Sequence, residues 1–282
     1  MNRPKLSHLL KDPLTTPVEC PQPTLTTQIA RTFRYRSASL GLPLTENERR
    51  IRSFKDSGRG ERCFIIGGGP SLNRQDLTLL KNEKTFGVNA IYTNYDKMGF
   101  YPTYYVVEDV FVAEDRAQEI NAFKGSTKFF GNYFRYCLAP DECTIWLNVI
   151  FDFRDYQDFP HFSEDSLRRL WVGGTVTYLC MQLAYYFGFD KVYLLGFDHS
   201  YSVPESAVVE GTKITSTTDD VNHFNADYFG PGKRWHDPRL DRMERAYRKA
   251  KLHFERDGRR IRNASDGGYL EVFERIDYSS LF

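Results

Sequence analysis

An apolar run that ends in three consecutive glycines places the tightest constraint on how this 282-residue chain can fold. Residues 62–66 read Arg-Cys-Phe-Ile-Ile without polar alternation, which is typical of a strand covered on both faces, as in parallel sheets. The run from Gly67 to Pro70 ends this strand, and Ser71 or Asn73 can cap a helix that continues through Leu80. The segment therefore predicts a strand–loop–helix unit of an α/β protein.

The same alternation of strand and helix patterns continues along the chain. Further strands are predicted at residues 85–89, 103–107, 128–130, 144–147, 191–196 and 260–263. Helices are predicted at residues 45–54, 112–120, 175–187 and 237–258. This order predicts a doubly wound, mostly parallel Rossmann-like sheet with right-handed crossovers.

Two segments fall outside this regular pattern. Residues 1–43 are rich in Pro and Thr and predict an extended N-terminal arm, which with the next short helix forms a unit at 1–60. Residues 61–282 are expected to form one Rossmann-like nucleotide-binding catalytic domain. Within that domain, residues 199–236 are polar, aromatic and irregular, and they are too long for a simple connection, so they predict a lid over an active site.

Charge is balanced over the whole chain but not along it. The formal net charge is +1, whereas residues 1–60 carry +6, 61–232 carry −9, 233–262 carry +7 and the last twenty carry −3. The overall balance argues against a general nucleic-acid binder, and the two basic segments suit phosphate groups or the inner face of a membrane. No apolar stretch is long enough to span a membrane.

Cysteine usage and the amino terminus indicate the compartment. The five cysteines form no Cys-x-x-Cys pair and no zinc-ligand spacing, and the first residues lack the apolar core of a secretion signal. These features predict a cytoplasmic protein without a metal site, peripheral to the membrane at most. They leave a homo-oligomer open.

The glycine-rich loop is the strongest motif. Glycines after a buried strand let backbone N–H groups approach an anion, and a helix N-terminus favours negative charge. The loop is not a dinucleotide fingerprint, because Leu72 stands at the third glycine position, and it is not a P-loop, because no Gly-Lys-Ser/Thr follows. We predict nucleotide binding by Gly67, Gly68, Gly69, Pro70 and Ser71.

Polar residues at other strand ends and helix starts extend this predicted site, since the carboxyl ends of strands face the ligand crevice in open α/β sheets. An asparagine after the second strand suits ribose or base hydrogen bonding, and two acids after the third suit sugar hydroxyls or Mg²⁺. A second glycine-rich helix start offers hydroxyls and N–H groups. The further nucleotide-binding candidates are Asn89, Glu108, Asp109, Gly174, Thr175 and Thr177.

The lid and the strand before it carry the catalytic candidates. Histidine is the side chain that most readily exchanges protons near neutral pH, so His223, in a polar stretch of the lid, is the general-base candidate. Asp198 and Tyr201 follow the strand at 191–196 and complete the catalytic set. Aromatic and basic lid residues are candidates for contact with an acceptor: Tyr228, Lys233, Arg234 and Trp235.

These segments, taken in order, resemble a known family. The loop Gly67–Leu72, the strand end Val88-Asn89, the stretch Gly173–Gly188, the strand Val192–Asp198 and the His223-centred motif are similar to those of the MptE-like (6-hydroxymethylpterin diphosphokinase-like) domain family. That family is similar in turn to the Campylobacter-type sialyltransferases and to motility-associated flagellin-glycosylation proteins. The resemblance covers residues 60–280.

On the sialyltransferase side, the resemblance implies inverting transfer of a nonulosonic acid from a CMP-sugar donor to a glycan acceptor, with no cofactor required. His223 matches the general-base histidine, Asn89 a nucleotide-contacting asparagine and Thr175 a donor-contacting threonine. The glycine loop would surround the cytidine phosphate. Tyr201 lies one residue from the place of a tyrosine that hydrogen-bonds the leaving phosphate, and Tyr228 is the candidate for a second.

Two alternatives stay open. In the diphosphokinase branch, ATP and Mg²⁺ would serve pyrophosphoryl transfer to a hydroxymethylpterin, with Glu108, Asp109 and Asp198 as the acids on the metal side. The other alternative is a non-catalytic nucleotide- or glycan-binding module of a surface-polysaccharide pathway. The long lid and the basic helix predicted at 237–258 favour a glycan acceptor over a small pterin.

Overall fold

The centre of the molecule is a fully parallel sheet. A computed structural model describes residues 25–150 and 160–282, and in it eight strands lie side by side with every neighbouring pair parallel. The strands of this sheet are β1 (Arg62–Ile66), β2 (Lys84–Val88), β3 (Tyr104–Val107), β4 (Thr127–Gly131), β5 (Thr144–Leu147), β8 (Lys191–Leu195), β12 (Arg260–Asn263) and β13 (Glu274–Arg275).

Shorter strands and the helices complete the described parts of the chain. The remaining strands are β6 (Val149–Ile150), β7 (Leu170–Trp171), β9 (Val208–Glu210), β10 (Lys213–Thr215) and β11 (Arg234–His236). The helices are α1 (Leu25–Ser39), α2 (Glu46–Ser53), α3 (Tyr95–Met98), α4 (Val110–Asp115), α5 (Ala117–Ala122), α6 (Val176–Phe187) and α7 (Leu240–Arg256). Among the residues described, no helix has both the length and the apolar character needed to cross a bilayer.

The order of the strands reverses beside β1. The sheet reads β13-β12-β8-β1-β2-β3-β4-β5, so the chain first builds outward from β1 to β5 and then returns to place β8 on the other side of β1. A doubly wound sheet of this kind leaves a crevice at the carboxyl ends of the two strands where the direction changes. The predicted Rossmann-like α/β fold is confirmed.

Burial on both faces explains why these sequences form parallel strands. The last four residues of β1 and of β8 and all four of β3 are buried. Every residue of α6 is buried as well, which fits its lack of a polar face. The ring of Phe187 at the end of α6 packs against sheet rings, at 5.2 Å between centroids from Tyr104 and 5.6 Å from Phe129. Much of the aromatic content therefore fills the core.

The N-terminal segment differs from the predicted extended arm. Residues 25–39 form the helix α1, and residues 1–24 lie outside the described residues. Helix α2 begins with the predicted capping box at Thr45 and packs on the edge of the sheet. The amide of Asn47 exchanges two hydrogen bonds with the backbone of Trp146 in β5, both 2.8 Å long. The helix that was expected to belong with the arm thus contacts the sheet directly.

Two predicted helices are interrupted. The helix expected after the glycine loop is replaced by the 3₁₀ turns Pro70–Arg74 and Leu77–Leu80, because Asp76 accepts a hydrogen bond from Thr78 N–H and starts a second turn. The helix expected at 112–120 is divided into α4 and α5 at Arg116. The guanidinium of Arg116 is buried and donates to the carbonyls of Asp227 and Tyr228, so this break anchors the predicted lid.

The predicted lid contains regular structure of its own. Strands β9, β10 and β11 form a small antiparallel sheet within residues 199–236. The indole of Trp235 in β11 is buried, stacks on Phe229 and donates from Nε1 to the Ser216 hydroxyl at 3.1 Å. The segment is therefore irregular over most of its length, as predicted, but it contains a small sheet and a buried tryptophan.

Candidate functional site

A cavity of about 150 Å³ lies at the carboxyl edge of the sheet, between the segments that follow β1 and β8. This is the place where open α/β sheets bind their ligands. The predicted site residues that line it are Gly67, Gly68, Gly69, Asn89, Glu108, Asp109, Gly174, Thr175, Thr177, Asp198, Tyr201, His223, Tyr228 and Trp235. Four predicted residues do not line it: Pro70, Ser71, Lys233 and Arg234.

The glycine loop after β1 is tied to the segment after β8. Gly67 N–H donates to Leu195 O at 2.7 Å, and Gly69 N–H donates to Gly196 O at 2.9 Å. A Cβ atom on either glycine would lie 2.7 Å from Gly196 O, so no side chain fits at these positions. Among the described residues, Gly68 N–H has no backbone partner.

Asp198 sits directly behind this loop. Its Oδ2 accepts a hydrogen bond from Ser71 N–H at 2.9 Å, while its Oδ1 is buried and has no partner among the described residues. Asp198 is held in turn by the segment before β13, where Tyr269 N–H donates to Asp198 O at 2.8 Å. A Cβ on Gly268 would lie 2.6 Å from Asp198 Cα, and Gly268 has φ +78°. This close approach requires glycine at that position.

His223 forms a pair with Asp220. The distance from His223 Nδ1 to Asp220 Oδ2 is 2.7 Å, and the two side chains are 10% and 2% exposed. The carboxylate also accepts from the backbone N–H groups of Asn222, at 2.7 Å, and Phe229, at 2.9 Å. Because Asp220 accepts the Nδ1–H proton, the lone pair of the neutral imidazole is on Nε2. That nitrogen has no hydrogen-bond partner among the described residues.

The imidazole of His223 lies on the glycine loop. A Cβ on Gly68 would come within 2.6 Å of His223 Cδ2, and Phe224 N–H donates to Gly68 O at 2.8 Å. On its other side the ring stacks on Tyr228 with centroids 4.0 Å apart and planes 7° from parallel. The fold thus brings together two motifs that are about 150 residues apart in the sequence, the glycine loop and the lid histidine.

Tyr228, a predicted acceptor contact, is buried in the lid. It is 2% exposed, and its hydroxyl lies close to Ala90 N–H and the Asn89 side chain. Burial raises the pKa of Tyr228. With Trp235 and Phe229 it forms a cluster of rings around His223, so these lid rings pack on one another. The predicted contact of Tyr228 and Trp235 with an acceptor stays a prediction.

A second group of charged side chains lines the cavity at the end of β3. Asp109 Oδ1 caps α4 by accepting from Phe111 N–H at 2.8 Å, and its Oδ2 lies 2.9 Å from His236 Nδ1. Burial lowers the pKa of His236, but the hydrogen bond and charge of Asp109 outweigh it and raise the pKa above its usual value. Burial and the neighbouring Asp109 raise the pKa of Glu108 to about 7.

The start of α6 and two tyrosines form the remaining wall. Thr175 caps α6 by accepting from Thr177 N–H at 3.3 Å. The hydroxyl of Tyr247, on α7, lies close to the side chains of Thr175 and Thr177. Burial of its hydroxyl raises the pKa of Tyr201, which lies near Tyr247 and Asp198. Phenols with raised pKa values stay protonated at neutral pH and can donate to an anion.

Lys233 and Arg234 are engaged elsewhere. Lys233 Nζ donates to Asp115 O at 3.0 Å, and the Arg234 guanidinium pairs with Asp115 Oδ1 at 2.5 Å and with Glu114 Oε2 at 2.9 Å. Both side chains therefore fasten β11 to the end of α4. Their role in holding an acceptor stays a prediction.

The acids that the diphosphokinase alternative assigns to the metal side do not form a cluster of three ligands among the described residues. Within the described ranges 25–150 and 160–282, no group of three or more His, Cys, Asp or Glu side chains could hold a metal ion. One oxygen each of Asp109 and Asp198 is already used by a backbone N–H group. We therefore derive no step through Mg²⁺.

The sequence-based prediction missed three residues that matter at this site: His236 and Tyr247, which line the cavity, and Asp220, which holds His223. Asp220 was detectable, since an acid three residues before a loop histidine can turn back to it. His236 pairs with an aspartate 127 residues away, and Tyr247 faces the cavity from a helix predicted only by its apolar stripe. Neither of these two carries a local signal.

The parallel sheet with its cavity at the reversal of strand order defines a Rossmann-like α/β protein. A family model described as 6-hydroxymethylpterin diphosphokinase MptE-like matches residues 43–204, more than half of the chain. The chain belongs to this MptE-like family, a family of transferase type, and the predicted resemblance to that family is confirmed over residues 43–204. The part of the resemblance that lies beyond residue 204, with His223, stays a prediction. No curated protein matches the chain.

Proposed function

We propose that the protein is an inverting glycosyltransferase that moves a sugar, a nonulosonic acid, from a CMP-sugar to a hydroxyl of a glycan acceptor. The observation that carries this proposal is the imidazole of His223, which Asp220 holds through Nδ1 and which leaves Nε2 free beside the glycine loop. A neutral imidazole with a fixed tautomer is suited to take a proton from an alcohol.

The reaction is a single displacement. The acceptor O–H gives its proton to His223 Nε2 while its oxygen bonds to the anomeric carbon. The bond from that carbon to the phosphate oxygen breaks, and the electron pair leaves with CMP. Because the transition state is oxocarbenium-like, negative charge grows on the departing phosphate, and hydrogen-bond donors placed there lower the barrier. Tyr201 and Tyr247 are the phenols available in the cavity wall.

The proposed reaction needs no cofactor, so it should proceed when metal ions are removed. Purified protein is incubated with a CMP-sugar and excess EDTA, and release of CMP is measured with and without a glycan acceptor. The variant His223→Asn should remove turnover. His253→Asn is the matched control, because His253 also pairs with a carboxylate, Glu164 at 2.8 Å, but lies on α7 outside the cavity. Equal turnover in wild type and His223→Asn would refute the assignment.

The description of the family favours a second candidate, pyrophosphoryl transfer from ATP to a hydroxymethylpterin. Its cavity would be the same one, since Glu108, Asp109 and Asp198 all line it. AMP formation that requires both Mg²⁺ and the pterin would support this reaction over glycosyl transfer. Nucleotide binding without either turnover would support a binding module instead.

A further inference from the structure

We propose that the pocket made by the glycine loop, Asn89 and Asp198 receives the ribose hydroxyls of the nucleotide and not its phosphate. This inference rests on the proposed function for the presence of a nucleotide donor. It reverses the expectation that the loop surrounds a phosphate.

Most backbone N–H groups of the glycine loop already have protein acceptors. Phosphate loops work by pointing several free backbone N–H groups at the anion. Here Gly67 and Gly69 donate to carbonyls after β8, and Ser71 donates to the Asp198 carboxylate. Among the described loop residues, Gly68 N–H and the buried Ser71 hydroxyl have no partner, and one N–H with one hydroxyl does not make a phosphate cradle of several backbone N–H groups.

A carboxylate, that of Asp198, already lies against the glycine loop. The Asp198 carboxylate occupies the first turn after the loop, where a phosphate would otherwise bind. A Cβ on Gly69 would lie 2.8 Å from Asp198 Oδ2, so the carboxylate is in direct contact with the loop backbone. A phosphate bound at the loop would therefore lie next to the Asp198 carboxylate, and two neighbouring negative charges repel each other strongly where water is excluded.

Two side-chain oxygens beside the glycine loop accept no hydrogen bond from the described residues. Asn89 Oδ1 and Asp198 Oδ1 are both buried, and neither has a hydrogen-bond partner among the described residues. Unpaired buried acceptors are rare in folded proteins and mark places where a water, an ion or a ligand belongs. An amide oxygen and a carboxylate oxygen require O–H or N–H donors, which a ribose diol supplies and a phosphate does not.

Lid side chains lie close to both acceptors. The Tyr228 hydroxyl contacts the Asn89 side chain, and the Tyr201 hydroxyl lies near Asp198. The cavity of about 150 Å³ is also smaller than the pockets that enclose ligands of nucleotide size. Entry of a nucleotide therefore requires the lid to shift, and that shift uncovers the two oxygens.

The phosphate is then expected on the opposite wall. Thr175 and Thr177 at the start of α6, a helix of 12 residues, line the cavity together with the phenols of Tyr201 and Tyr247. Hydroxyl donors and a helix N-terminus suit an anion. A ribose at the glycine loop and a phosphate at α6 place the nucleotide across the cavity.

Calorimetric binding of CMP and of 2′,3′-dideoxy-CMP tests the inference, with AMP and 2′,3′-dideoxy-AMP as a parallel series. Wild type should bind the dideoxy compound about tenfold or more weakly, because hydrogen bonds to a carboxylate are strong. In Asp198→Asn the loss on removal of the hydroxyls should shrink to about threefold or less, since the two changes remove the same interaction. Asp266→Asn is the control: this carboxylate pairs with Arg74 outside the cavity and should leave the full loss.

The opposite results overturn the inference. Equal binding of the ribose and dideoxy forms by wild type would do so even if Asp198→Asn fails to fold. Tighter CMP binding by Asp198→Asn would indicate that a phosphate lies at the loop. Failure of both nucleotide series to bind would also refute it. Because CMP release from a CMP-sugar is measured separately, a glycosyltransferase with equal affinity for both forms would refute this inference alone.

Discussion

Two histidines of the cavity wall each pair with an aspartate, and the two pairs match in their nitrogen–oxygen distance but differ in their surroundings. His223 Nδ1 lies 2.7 Å from Asp220, and His236 Nδ1 lies 2.9 Å from Asp109. The first pair is 10% and 2% exposed, whereas the second is 45% and 19% exposed. Each ring also stacks on an aromatic side chain, Tyr228 in the first pair and Phe111 in the second.

The aspartates show what separates the pairs. Asp220 accepts hydrogen bonds only from its own lid segment, from residues 222, 223 and 229, among the described contacts. Asp109 divides its oxygens between His236 and the N-terminus of α4, so it would be needed as a helix cap without the histidine. A histidine–carboxylate contact alone therefore does not mark a catalytic base. Burial against the glycine loop distinguishes His223.

The largest expected difference between the pairs is in catalysis. His223→Ala should lower CMP release by about 10³-fold, the range that a general base contributes. His236→Ala should lower it by less than about tenfold, because its imidazole is not beside the glycine loop. Rates are measured with saturating CMP-sugar, and nucleotide affinity by calorimetry should change little in both variants. Equal losses would show that the pairs are functionally equivalent and would contradict our distinction.

The aspartates give the next largest contrast. Asp220→Asn should lower turnover by about 10²-fold or more, because an amide donates to Nδ1 and moves the imidazole proton onto Nε2. Asp109→Asn is the matched change, and asparagine still caps a helix, so turnover should stay close to that of wild type. An Asp220→Asn enzyme with full activity would show that the carboxylate only fixes the lid.

Part of this site can be predicted from the sequence, and part of it cannot. Runs of buried apolar residues identify β1, β3, β8 and α6, and the polar ends of those strands correctly predict which residues meet at the cavity. The contacts of the loop could not be predicted in this way, because Ser71 N–H is satisfied by a carboxylate 127 residues away. Periodicity indicates which residues are buried, but it does not indicate which donors are already used.

Gly68 contacts His223, the histidine of the first pair. A change at Gly68 should therefore lower turnover, but by less than the loss of His223 or Asp220. Gly68→Ala should reduce turnover about tenfold, because the added methyl group would lie 2.6 Å from His223 Cδ2 and must displace the ring. The backbone at Gly68 is not in the left-handed region, so the chain itself accepts alanine. Gly230→Ala is the control, since Gly230 also lies outside the left-handed region, does not line the cavity, and would place its Cβ 3.3 Å from Asp227 Cα without contact to His223. Unchanged turnover in Gly68→Ala would place His223 further from the loop.

The smallest expected effect belongs to the exposed pair and concerns stability. The folded protein holds the pKa of His236 above its usual value, so the ion pair with Asp109 stabilises the fold below the ordinary histidine pKa, about 6.5. That contribution is lost as pH rises through the raised value. Since the imidazole is 45% exposed, the stabilisation is at most about 1 kcal/mol.

Thermal unfolding of wild type and His236→Gln measures this contribution. The difference in Tm should be largest at low pH, reach no more than about 4 °C and vanish at alkaline pH. Raising the salt concentration to about 1 M should reduce it at low pH, because an exposed pair is screened. A difference that grows with pH would mean that His236 stabilises the fold as a neutral ring stacked on Phe111, and the two pairs would then differ in charge as well as in burial.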